Sequence, residues 1–127
     1  MRVLALDYGS ARCGVAVSDP TEVIATPLES ISEPASERGL GEIARVVAER
    51  EVEEVLVGLP VSLSGSEGAQ AAEARRFAEC LAERLDVPVT TFDERYTTSL
   101  ARRTPGRLPE DSRAAAHLLE SYLSARR

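Results

Sequence analysis

At 127 residues and 43% hydrophobic content, the chain fits a single domain, residues 1–127, with enough length for a real core. Its formal net charge of −6 argues against a general nucleic-acid coat protein. No apolar run approaches the ~20 residues that span a bilayer, which excludes a membrane-spanning helix in this sequence. The start lacks a long apolar core and a small-residue cleavage site, so a cytoplasmic protein is expected.

Residues 2–7 (RVLALD) read as a strand that ends in an acid, and 13–18 (CGVAVS) read as a second strand. "YGSARCG" between them carries two glycines and a serine and suits a hairpin-like turn. A third, edge strand is expected within 22–31, because Pro27 is tolerated there and not in a central strand. Leu40, Ile43, Ala44 and Val47 recur at helical spacing and predict a helix from Glu37 to Arg50. Val55, Leu56 and Val57 form a continuous apolar run, the mark of a parallel strand buried on both faces. A second helix is predicted over residues 67–86, from Ala74, Phe77, Ala78, Leu81 and Leu85. "VPVTTFDER" reads as a fifth strand, followed by a short helix from Thr97. Two prolines and a glycine in "TPGRLPED" then break the chain before a last helix from Ser112 to Ser124.

Three strands followed by βα units predict an α/β fold: a mixed five-stranded sheet with helices on both faces. Right-handed crossovers give the order 3-2-1-4-5, and ligands in such sheets gather at the carboxyl ends of the central strands. The ends of strands one and five then share one rim. They bring Asp7 together with Asp93 and Glu94, of which strand parity decides the inward one. On the last helix the apolar stripe Ala114, Ala115, Leu118, Leu119, Tyr122 extends back to Asp111. Asp111 also suits a helix N-cap, a role that does not exclude metal binding.

Converging carboxylates repel one another and lose hydration unless a cation neutralises them. Mg²⁺ or Mn²⁺ does so through oxygen ligands, and a pair of such ions drives in-line attack of water on a phosphodiester. Asp7, an acid of the Asp93–Glu94 pair and Asp111 are thus the candidate metal ligands. Gly9, Ser10, Arg12 and Gly58 lie where a phosphodiester would pass. His117 is the lone histidine, expected on a helix flank in a structural role; Ser/His/Asp and Cys/His schemes have little support. The two cysteines, Cys13 and Cys80, lack metal-ligand spacing and are expected as reduced thiols used as small apolar residues.

The charge is uneven. Residues 95–113 carry five arginines against two acids, and the chain has no lysine. Arg95, Arg102 and Arg103 are candidate phosphate contacts, since Arg binds phosphate bidentately.

"LALDYGSARCGVAVSD", "VGLPVSLSGSEGAQAAEARRFAECL", "FDERYTTSLA" and "EDSRAAAHLLESYL" together resemble the YqgF/RuvX family, in order and over nearly the whole chain. The resemblance implies a ribonuclease-H-like fold and a nuclease that matures the 5′ end of pre-16S rRNA. The same family has been described as a Holliday junction resolvase. Its presumed catalytic acids match Asp7, Glu94 and Asp111, which selects Glu94 over Asp93. Members usually carry a longer basic stretch before the last acid than the one between Arg95 and Asp111 here.

The expected partner is structured RNA, pre-16S rRNA or a pre-ribosomal particle, with branched DNA as the alternative. The chain is expected as a monomer or weak homodimer with no membrane partner. A non-catalytic RNA-binding assembly factor is the competing class. The opening also looks like the phosphate loop of sugar kinases, but one lobe is too little to enclose a nucleotide.

Overall fold

A computed structural model describes residues 1–60, 68–94 and 110–126, with residues 110 and 111 as backbone alone. The elements are β1 Val3–Asp7, β2 Arg12–Ser18, β3 Ala25–Ser32, α1 Glu37–Glu49, β4 Glu54–Leu59, α2 Ala69–Arg84, β5 Val89–Asp93 and α3 Glu110–Ala125. The helix expected from Thr97 falls outside the described residues. No helix among the described residues is long and apolar enough to cross a membrane.

The sheet order is β3-β2-β1-β4-β5, as the sequence predicts. β1 pairs antiparallel with β2 and parallel with β4, and β5 extends β4 in parallel. Every residue of β4 is buried, which explains its unbroken apolar centre. β3 pairs with β2 alone at the sheet edge, so Pro27 removes no central ladder bond. β3 starts later than predicted. Residues 21–24 are a turn instead, organised by the Asp19 carboxylate, which accepts from the Val23 and Ile24 N–H groups at 2.8 and 2.7 Å. Glu22 takes a left-handed φ of 62° there.

The two sheet faces hold separate cores. Leu4, Leu6, Val15, Val55 and Val57 pack under α1 and α2 through Leu40, Ile43, Phe77 and Leu81. Val3, Ala5, Ala16 and Leu56 pack under α3 through Ala115, Leu118, Leu119 and Leu123. Strand alternation therefore sorts each side chain to one face. α1 opens on Ser36, whose hydroxyl accepts from the Gly39 N–H at 3.0 Å.

Three side chains depart from the sequence expectation. Ala114 is exposed, while Ala115, Leu118 and Leu119 are buried as expected, together with Ser112, Ala116 and Leu123. His117 is buried in α3 rather than on its flank. Cys13 is buried as expected, but Cys80 lies exposed on α2 and packs in no core.

α3 is tied to the sheet at both ends. Near its C-terminus, buried Glu54 of β4 accepts from Tyr122 OH at 2.6 Å, Thr90 Oγ1 at 2.8 Å and Arg126 at 3.0 Å. At its first turn, fully buried Ser112 Oγ accepts from the Val15 N–H at 3.0 Å. The β2–β3 register shifts between Cys13 and Val15, so this bond falls where the ladder is interrupted.

Candidate active site

Asp7 is the last residue of β1, and Glu94 directly follows β5. Alternation places residue 7 with Val3 and Ala5, and residue 94 with Phe92, both on the α3 side of the sheet. β4 lies between them, and its nearest residue on that face is Gly58. A Cβ at position 58 would sit 3.1 Å from both Glu94 Cγ and Cδ, and 2.9 Å from Leu118 Cδ2. The missing side chain is what lets the Glu94 carboxyl lie across β4. There Glu94 hydrogen-bonds Asp7.

The electrostatics follow from this contact. Burial, then the Asp7 charge and the bond to Asp7, push the Glu94 carboxyl up to about 7; the Asp93 charge adds to this. Burial also raises Asp7, while the bond from Glu94 lowers it. Two acids this close hold one proton between them until a cation replaces it.

The sequence expectation of an inward acid after β5 thus resolves to Glu94, on parity and on contact. Gly58, expected at the phosphodiester path, is buried beneath Glu94. Gly9 and Ser10 line a cleft of about 280 Å³ together with Asp7 and Glu94. Gly9 is required by its own turn, since a Cβ there would lie 2.6 Å from the Arg12 carbonyl oxygen. Arg12 begins β2, exposed, and is not among the described residues lining the cleft. The backbone of Asp111 lies in the first turn of α3, and its side chain is outside the described residues, as are Arg95, Arg102 and Arg103.

The cleft has a second wall that sequence reading missed. Tyr8, Pro60, Gln70 and Glu73 complete its lining. Gln70 and Glu73 are three residues apart in the opening turns of α2, the spacing that puts two side chains on one helix face. That spacing was the available signal. Among the described residues no three acidic, histidine or cysteine side chains are grouped closely enough to hold a metal ion. Glu73 therefore does not complete the Asp7–Glu94 pair.

The donor set fits a hard divalent cation. It consists of carboxylate oxygens, which burial holds toward their neutral form and which a cation could neutralise in place of the proton.

Comparison with known proteins follows the same lines. The family described as "RuvX: Holliday junction resolvase" matches residues 1–125. A Chloroflexus aggregans (strain MD-66 / DSM 9485) protein named "Putative pre-16S rRNA nuclease" is 44% identical over 134 residues, covering 98% of this chain and 94% of its own length. An Anaeromyxobacter sp. (strain Fw109-5) relative of the same name is 42% identical over 137 residues, covering 99% and 98%. Thermus thermophilus RuvC is similar in structure, with a TM-score of 0.67 and 19% identity over 99% of this chain and 96% of that one. The Fowlpox virus resolvase in complex with Holliday junction DNA has a TM-score of 0.60 and 11% identity, covering 99% of each chain. At those identities the structural likeness establishes the fold, which is ribonuclease-H-like. With the family pattern matched from end to end, this chain belongs to the RuvX family.

Proposed function

We propose that the chain is a divalent-metal-dependent nuclease that hydrolyses phosphodiester bonds, with Asp7, Glu94 and Asp111 as its catalytic, metal-holding acids. The observation that carries this reading is the Asp7–Glu94 pair, two half-buried carboxyls sharing a hydrogen bond at the rim of the sheet. Such a pair costs the fold energy and suits a cation. Mg²⁺ or Mn²⁺, bound singly or as two ions, would neutralise the acids and polarise the phosphoryl oxygens. The proton shared by the two carboxyls must leave before a cation is held. Gly9 and Ser10 border the passage of the phosphodiester. Arg12, Arg95, Arg102 and Arg103 supply charge-assisted hydrogen bonds to flanking phosphates.

The substrate in this reading is structured RNA in the cytoplasm, at the 5′ end of pre-16S rRNA. The names of the relatives support it. A branched-DNA substrate is the second reading, favoured by the description of the family itself. Purified protein with Mg²⁺ or Mn²⁺ is offered a pre-16S-like RNA beside a four-way DNA junction. RNA cut by the wild type and not by Asp7→Asn supports the first reading. Selective junction cutting supports the second. RNA bound equally by both proteins, with neither substrate cut, points to a non-catalytic assembly factor.

A further inference from the structure

The α2 wall of the cleft has a chemistry that metal and phosphate do not explain. Glu73 opposes phosphate by charge. It also stands outside any trio of described residues able to hold a metal ion. A carboxylate only accepts, so a neutral group with hydrogen-bond donors suits it. Beside it, the Tyr8 ring lies 4.6 Å from Phe77 at 33°, and Phe77 is buried in the core. The plane of Tyr8 is thus fixed by the fold, one residue after Asp7.

We propose that this wall is a subsite for one unpaired nucleobase, stacked on Tyr8 and read at its edge by Gln70 and Glu73. A flat neutral π-face beside an amide and a carboxylate is the chemistry that recognises a single splayed base. Glu73 accepts from an exocyclic amino group, so adenine and cytosine are favoured over uracil. The cavity, about 280 Å³ and shared with the acid pair, has room for a base. The subsite rests on the nuclease reading for its purpose, since it would hold the base flanking the cleaved phosphate.

The test uses neutral nucleosides, which carry no phosphate and need neither metal nor cleavage. Adenosine, cytidine and uridine are titrated into the full chain and followed by NMR, with ribose as the base-free control. Adenosine and cytidine are expected to bind more tightly than uridine, and ribose not to bind. Tyr8→Leu is expected to weaken adenosine by about tenfold, and Tyr8→Phe to retain it. Glu73→Gln, a substitution that leaves the ring pair intact, is expected to remove the preference for adenosine over uridine. Equal response to ribose and adenosine overturns the proposal, as does an unchanged preference in Glu73→Gln. Failure of the cleavage assay leaves these titrations unmoved, so the two readings fail separately.

Discussion

Glu94 reaches Asp7 across a strand whose intervening residue on that face, Gly58, has no side chain to block it. The relationship links β1, β4 and the residue after β5: one carboxyl, a gap and a second carboxyl. It makes Gly58 as necessary to the pair as the acids themselves. Gly58→Ala is expected to displace Glu94 and crowd Leu118, at a cost of about 1–3 kcal/mol in stability. Cleavage should fall further than stability accounts for. Urea unfolding beside a cleavage assay separates the two, and full activity in the variant would refute the positional role.

Asp7→Asn is expected to abolish metal-dependent cleavage while the protein stays folded. Loss of several kcal/mol of charge stabilisation corresponds to at least about a hundredfold in rate. Single-turnover cleavage and circular dichroism measure the two effects. Wild-type activity in this variant would remove Asp7 from the chemistry.

The acid pair also sets a pH dependence of stability. Glu94 is raised from 4.5 to about 7, and Asp7 is raised too. A group raised on folding stabilises fully below its unfolded value, and that contribution is lost as pH rises through its folded value. In EDTA the wild type should therefore lose melting temperature between about pH 5 and about pH 8 relative to Glu94→Gln. Added Mn²⁺ should restore the wild type at the upper pH and leave Glu94→Gln nearly unchanged. Parallel melting curves for the two proteins would contradict the shared proton.

Ser112 holds the first turn of α3 to the interrupted edge of β2 through the Val15 N–H. Ser112→Ala leaves that buried N–H without its acceptor, a cost of about 1–3 kcal/mol. Because Asp111 is the preceding residue, Mn²⁺ affinity should fall with stability. Exchange of the Val15 amide reads the bond directly, and unchanged protection in Ser112→Ala would sink this account.

The opposite end of α3 provides a contrast. Tyr122→Phe removes one hydrogen bond to buried Glu54, far from the acid pair, and should cost about 1–3 kcal/mol with Mn²⁺ affinity retained. Calorimetric unfolding and a Mn²⁺ titration check both halves of that expectation.

Five strands, their order, three helices and the acids at the ends of β1 and β5 were legible in the sequence. Unbroken apolar runs, helical spacing and Pro27 are local signals, and they survive folding because each element must bury its own apolar face. Family motifs carried the choice of Glu94 from the sequence, and alternation along β5 gave it a physical reason. What crosses between elements became visible in the folded chain alone. It assigned Gly58 to the floor beneath Glu94, joined Ser112 to Val15, and set Tyr8 against Gln70 and Glu73 as a cleft wall. It also exposed Ala114 and Cys80, which look apolar in sequence. These facts depend on register and packing between distant segments. No local periodicity encodes which residue of β2 or β4 a helix or a carboxyl will meet.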